Sequence, residues 1–253
     1  MKLLKRTRSA VWWRAWRDFE RGSRKWQRGV EIPTIARLCK FSKNKAALEV
    51  GAGAGRLAAK FAPTCRVLYA VESDEKALTS MRNAAKFRII DADLHKLPFA
   101  DESFDCVYSA WVLQSRRIDL PRAVAEQVRV LKNKGSIVAV TENGEGDDAE
   151  LKESLGKKGN RKKRERIVAD IQKLLRANGC RKVSEARKTV RFEFPHSIER
   201  TAEIIRQIVA SGEGLNESQQ NKLRKFLEKR GKNGKVIFTQ GASFISAEKR
   251  IAD

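Results

Sequence analysis

Nine residues, Leu48-Glu49-Val50-Gly51-Ala52-Gly53-Ala54-Gly55-Arg56, constrain what this chain can fold into more than any others. The apolar run Ala46–Val50 ends in three glycines at alternate positions, and a helix-prone segment, Leu57–Phe61, follows at once. That order predicts a buried strand, a tight turn and a helix start. Glycines in such a turn let backbone approach a ligand closely, and the helix beyond offers unpaired N–H groups. A ligand with a polar or anionic end is expected there.

From Ala46 onward strand and helix patterns alternate. Arg66–Val71 reads as a second strand ending at Glu72, and Asp74–Ala85 as a helix. Phe87–Ile90 reads as a third strand running into Asp91-Ala92-Asp93, and Phe104–Ala110 as a fourth. Leu120–Leu131 is a helix with Pro121 in its first turn, followed by Lys134-Gly135 and a fifth strand, Ser136–Thr141. This alternation implies a parallel sheet covered on both faces. Farther along, Arg166–Ala177 reads as a helix stopped by Asn178-Gly179, and Lys182–Phe194 and Lys235–Ala247 as strands. Two helices, about Ser197–Ala210 and Glu217–Lys229, lie between those strands. The stretch 143–166 reads as an acidic, flexible Asn143-Gly-Glu-Gly-Asp-Asp followed by a basic run, Lys157–Arg164. It is either a solvated loop or a basic loop that touches substrate.

Charge is unevenly spread. The net charge is +23, yet Glu49–Glu150 holds 14 basic against 16 acidic residues while the remainder holds 40 against 15. A near-neutral centre with basic flanks suits a small-ligand site carried by surfaces that meet a polyanion, nucleic acid first. A lysine- and arginine-rich surface of thermophilic type, without any such partner, is the alternative. The N-terminal 31 residues hold ten lysines and arginines together with Trp12, Trp13, Trp16, Phe19 and Trp26. Trp12, Trp16 and Phe19 fall at i, i+4, i+7, so an amphipathic helix is expected. Its aromatic face packs onto the main domain, stacks on a substrate, or lies on a membrane surface, Asp18 and Glu20 opposing the last. A second helix is expected from Ile32-Pro33 to Phe41.

Some chemistry is excluded. No apolar run reaches the length of a membrane span, and no secretory signal is visible. Cys39, Cys65, Cys106 and Cys180 are far apart and form no CxxC, so reduced thiols in the cytoplasm are expected. With only His95 and His196 besides, no metal site is expected. The phosphate loop GK[ST] is absent, and GxGxxG fails because the third position falls on Arg56. What stands is Glu49-x-Gly51-x-Gly53-x-Gly55, with Glu72 after the second strand and Asp93 beyond the third. A carboxylate after strand two is suited to a ribose diol, and one after strand three to an exocyclic amine.

Glu49-Val-Gly-Ala-Gly-Ala-Gly, Glu72, Asp93-Leu-His-Lys-Leu-Pro-Phe99, Ser103-Phe104-Asp105 and Arg129-Val-Leu-Lys132 together resemble the successive motifs of S-adenosylmethionine-dependent methyltransferases. The subgroup they are most similar to is the ubiquinone/menaquinone-biosynthesis-like methyltransferase domains, over about residues 46–141. The resemblance implies an α/β, Rossmann-like, doubly wound, mostly parallel seven-stranded sheet with an antiparallel last strand, plus N-terminal helices. Residues 1–45 would form a basic, Trp-rich helical cap, and 46–253 the S-adenosylmethionine-binding domain with a helical insertion at about 196–233. By resemblance Gly51, Gly53 and Gly55 line the methionine part of S-adenosyl-L-methionine, and Glu49 stands near its amino group or supports the loop. Glu72 would bind the ribose hydroxyls and Asp93 the adenine amine, with Leu94 against the ring. Ser109-Ala110-Trp111 would face the sulfonium, making Ser109 a cofactor contact and Trp111, Gln114 and Trp16 acceptor-side candidates. Lys132-Asn-Lys-Gly135 departs from the usual Lys-Pro-Gly-Gly. No Asn/Asp-Pro-Pro-Tyr/Phe follows strand four, which speaks against methylation of an exocyclic base amine. Cys106 reads as core, and His95 and His196 as structural. Three functions follow: a methyltransferase with RNA as acceptor, favoured by the flanks; the same chemistry on a small molecule or protein; and a nucleic-acid-binding protein that keeps the fold without turnover.

Overall fold

The computed structural model of the protein describes residues 10–82, 86–156, 160–209 and 215–251. The first nine residues, the expected helix ends at 83–85 and Ala210, and the start of the basic run at 157–159 lie outside the described residues, as do the side chains of Trp12 and Trp13.

The chain begins with helices α1 (Ala10–Gly22) and α2 (Arg24–Trp26), a π-helical turn over Gln27–Glu31, and α3 (Ile32–Cys39). Pro33 sits in the first turn of α3, and Lys40, left-handed at φ 52°, stops the helix two residues before the sequence suggests. Then come β1 (Ala46–Val50), α4 (Arg56–Phe61), β2 (Val67–Glu72), α5 (Glu75–Arg82), β3 (Arg88–Asp91) and β4 (Phe104–Ala110). The helix α6 (Leu120–Arg129) is capped by Asp119, whose carboxylate accepts from the Arg122 N–H, and ends before Leu131 because β5 (Leu131–Glu142) starts there.

The second half is longer and more regular than its sequence suggests. The strands β6 (Cys180–Phe194) and β8 (Lys235–Lys249) pair antiparallel from Cys180–Lys249 to Phe194–Val236, with a two-residue β7 (Gly231–Lys232) turned back on β8. Between β5 and β6 lie α7 (Asp147–Ser154) and α8 (Asn160–Ala177), and between β6 and β7 lie α9 (Ile198–Val209) and α10 (Glu217–Glu228). The expected loop at 143–166 is therefore corrected: its glycines serve close packing. A Cβ on Gly144 would meet the Arg161 backbone at 2.8 Å, and one on Gly146 the Gln240 backbone at 3.0 Å. Asp147 then holds the start of α7, accepting from Thr239 N and Oγ1 at 2.8 Å each and from Arg230.

The sheet runs β3-β2-β1-β4-β5-β8-β6, with β8 antiparallel to both neighbours and β7 added as an eighth strand. The strand order reverses between β1 and β4, the place where open α/β sheets bind ligands. Two apolar cores cover the sheet. On one face Ile35, Leu57, Phe61, Leu78, Leu151, Ile204 and Leu227 pack onto Ala47, Cys106, Tyr108 and Phe244. On the other, Val124 and Val128 of α6 and Ile171 and Leu175 of α8 pack onto Leu48, Val107 and Ile245. Cys106 is core, as its sequence context predicts, and all four cysteines are free and buried. Gly22 of α1 approaches β6 so closely that a Cβ there would lie 2.8 Å from Phe194, and Phe19 packs against Phe192, Phe194 and Phe238. Phe19 of the first helix thus packs onto the sheet. Among the described residues no helix is long and apolar enough to cross a membrane.

Candidate functional site

The three glycines of the turn do different work. All are left-handed, at φ 72°, 57° and 77° for Gly51, Gly53 and Gly55. The turn is anchored to β2, the N–H groups of Gly51 and Ala52 both donating to Val71 O. A Cβ on Gly51 would strike Val112 at 2.7 Å, and one on Gly55 would strike Phe87 and Met81 at 2.7 and 2.9 Å. At Gly53 an added Cβ meets nothing within 4 Å. Gly51 and Gly55 are therefore dictated by packing, and Gly53 alone faces open space. The helix behind the turn, α4, is only six residues long.

Glu72 stands at the C-terminal end of β2 beside this space. Its Oε2 accepts from Gly53 N at 2.8 Å, and its Oε1 from Ser73 N and Asp74 N at 2.7 and 3.0 Å. A carboxylate offers about four lone-pair sites, so room for a ligand hydroxyl remains. Glu49, by contrast, is turned away into the core, 3% exposed, and accepts from the Tyr108 hydroxyl at 3.1 Å. Burial pushes its carboxyl up to about 8, against the lowering effect of Tyr108, Arg56 and the Ala58 N–H. The geometry gives it the loop-supporting position.

Asp93 lies exposed beyond β3, and its Oδ1 accepts from the His95 backbone N–H at 2.9 Å and meets His95 Nδ1 at 2.7 Å. Burial raises its carboxyl, but the two His95 contacts outweigh it and hold the group below the usual range. His95 Nε2 accepts from Asp119 N at 3.0 Å, so the proton sits on Nδ1 and the ring has no free lone pair. His95 is a clip between the Asp93 loop and the start of α6. Leu94 is half-buried against the second core. Ser109 is 1% exposed, and its hydroxyl has no partner among the described residues.

The acceptor-side candidates Trp16, Trp111 and Gln114 come together on one cavity of ≈ 100 Å³. The cap forms one wall with Trp16, Phe19 and Trp26; β6 and β8 form another with Phe192, Phe238 and Gln240. Trp111, left-handed at φ 62°, donates its indole N–H to Glu31 Oε1 at 2.7 Å and packs edge-on against Trp26. Glu31 is fully buried and also holds Arg56 in a bidentate pair at 2.7 and 3.1 Å. The cap is thereby pinned to the first residue after the glycine turn. A second charged group closes the far wall: Lys152 Nζ lies 3.0 Å from Glu142 Oε2 and 2.6 Å from Asp148 Oδ2, and Arg164 Nε lies 3.0 Å from Glu142 Oε2. Sequence reasoning missed Glu31, Glu142, Asp148 and Lys152. They lie in no motif, and only tertiary packing brings them to one cavity.

Residues 48–139 match the model of a family described as a methyltransferase domain. The chain carries an S-adenosylmethionine-dependent methyltransferase domain. No curated protein sequence matches it. Among solved structures, the YcgJ protein of Bacillus subtilis is similar with a TM-score of 0.61 at 18% identity, covering 87% of this chain and 98% of that one. A putative methyltransferase of Bacillus halodurans is similar with a TM-score of 0.60 at 19% identity, covering 88% and 100%. The phosphoethanolamine N-methyltransferase 2 of Haemonchus contortus, solved with phosphomonomethylethanolamine and S-adenosylhomocysteine, is similar with a TM-score of 0.55 at 16% identity, covering 87% and 52%. These likenesses carry the fold. The cofactor of the domain is S-adenosylmethionine, which supplies a methyl group on a sulfonium. The residues fit it: Gly53 faces open space, and Glu72 beside it keeps lone pairs free for sugar hydroxyls.

Proposed function

We propose that this methyltransferase acts on a small acceptor held in the aromatic cavity under the N-terminal cap. The observation that carries this reading is the cavity's lining: Trp16, Phe19, Trp26 and Trp111 face it, and the Glu31–Arg56 pair ties the cap over it to the glycine turn. A small, aromatic-walled cavity with a few polar groups suits a small molecule, since catalysis of methyl transfer is chiefly alignment of the acceptor within about 3–3.5 Å of the methyl and exclusion of water. Gly53 and Glu72 are assigned to the cofactor's aminoacyl and ribose parts, Asp93 and Leu94 to the adenine, and Gly51, Gly55 and Glu49 to shaping the turn. Trp111 and Trp16 face the acceptor, with Gln114, whose Oε1 accepts from Thr141 Oγ1 at 3.0 Å, at the rim. We assign the chain to the cytoplasm on its four free thiols.

RNA remains the second reading, on one observation. Arg116 and Arg117 of the loop after Trp111, and Lys162 and Lys163 of α8, are exposed and have no acidic partner among the described residues. Slight burial, with Arg116 and Arg164 nearby, holds Lys163 below its ordinary value. Incubation with methyl-labelled S-adenosylmethionine and fractionated cell extract separates the two. Label is expected in the small-molecule fraction; label confined to RNA overturns the small-acceptor reading.

A further inference from the structure

We infer that the aromatic cavity is a site for a small cationic amine that also carries an oxygen, held by Asp148 against the tryptophan rings. The inference rests on the small-acceptor reading and names the acceptor's chemistry. Three carboxylates, Glu31, Glu142 and Asp148, line the cavity with two cations, Arg56 and Lys152, and a third cation, Arg164, reaches Glu142 from α8. Glu31 is satisfied by Arg56 and Trp111. Glu142 is satisfied by Lys152 and Arg164, and they hold it below its ordinary range despite burial. Asp148 has only its share of Lys152, through Oδ2, and burial with Glu142 nearby keeps its carboxyl above the ordinary value. The only side-chain contact of Asp148 among the described residues is Lys152 on Oδ2, which leaves Oδ1 to accept from an ammonium N–H on a ligand. The surrounding rings favour a cation over an anion, because their faces carry the negative lobe of the quadrupole.

A second observation points to the ligand independently. Trp26 is 6% exposed and forms part of the cavity wall, yet its indole N–H has no hydrogen-bond partner among the described residues. A buried donor left unpaired costs free energy, and an oxygen on the ligand would satisfy it. The charged groups facing Asp148 are Glu142 from β5, Lys152 from its own helix and Arg164 from α8. Among these Asp148 is the carboxylate least neutralised, and so the one to take a proton from the bound ammonium. In that step the N–H bond breaks, its pair stays on nitrogen as the lone pair that methylation requires, and the proton rests on the carboxylate.

The test is an isosteric series on the natural chain, read by saturation-transfer NMR without cofactor: N-methylethanolamine (a cation), 2-methoxyethanol (neutral) and methoxyacetate (an anion). N-methylethanolamine is expected to bind at least ~10-fold tighter than either isostere, a preference worth about 1.4 kcal/mol. Asp148→Asn is expected to abolish that preference while leaving 2-methoxyethanol unchanged, with folding checked by its melting curve. In the natural chain kcat/KM for the amine should fall as pH drops and Asp148 is protonated. Equal binding of the three, tighter binding of methoxyacetate, or binding of none overturns the inference without any variant. Calorimetry with S-adenosylhomocysteine keeps the two readings apart. Failure to bind it strikes the methyltransferase assignment, whereas binding it without an amine preference strikes only this inference.

Discussion

Two glycines two residues apart make a controlled comparison at the smallest scale. Gly51→Ala combines a left-handed φ of 72° with a 2.7 Å clash against Val112 and should cost about 2–4 kcal/mol of stability. Gly53→Ala, at φ 57° with nothing in front of it, should cost only ~1 kcal/mol but weaken S-adenosylhomocysteine binding about tenfold or more. Thermal melts and calorimetry on both variants separate the roles; equal loss of stability with equal loss of binding would refute the division. Glu49 offers a pH test. Its folded carboxyl is pushed up to about 8, so between the ordinary value near 4.5 and about 8 the folded state holds a proton that the unfolded chain has released. The stability it contributes is full at the acid end and lost as pH rises through that window. Relative to Glu49→Gln, the natural chain should lose on the order of 2–4 kcal/mol from about pH 5 to about pH 8.5 in denaturant titrations. At this scale the sequence showed which residues matter at the turn better than what each one does. Spacing cannot tell a glycine that avoids Val112 from one that faces a ligand.

The cap and its latch belong to the scale of elements. Glu31 leaves the π-helical turn and reaches Arg56 at the start of α4 and Trp111 after β4, so one carboxylate joins three segments. Glu31→Gln leaves Arg56 facing a neutral amide in a largely buried setting and should cost about 2–3 kcal/mol, or roughly 4–10 °C in melting temperature. Amide exchange should rise in α1 and α3 more than in β1 or β4, since the core strands report global opening. The alternation that marks β1 to β5 was legible because strands buried on both faces read as continuous apolar runs between turn residues. The segment 143–166 was not. Its glycines look like a flexible tract, whereas Gly144 and Gly146 are small because Arg161 and Gln240 press on them. Nor was the latch legible, since nothing near Glu31 in the chain hints at Arg56 or Trp111.

Over the whole molecule, the +23 charge lies outside the chamber, where carboxylates and cations nearly balance. Two ionic-strength responses should therefore separate. Retention of RNA on the basic surface should drop about 10-fold or more between 50 and 200 mM salt, while KM for a small acceptor should change less than about twofold. Filter binding and methyl-transfer kinetics on one preparation measure both, and a parallel fall would place the acceptor on the surface instead. The order of the strands has a temporal meaning as well. A chain made from its N-terminus can assemble β1 to β5, with the glycine turn, once Glu142 is free, because each of those strands pairs with earlier ones. β6 then waits: its partner is β8, about 40 residues later, and Phe19 of the cap needs Phe192 and Phe238 from that same pair. A ribosome that stalls between them holds a finished cofactor half and a long, unpaired β6, the kind of edge that other chains capture. The aromatic chamber is the last part of the molecule to come into being, and it arrives when β8 inserts between β5 and β6.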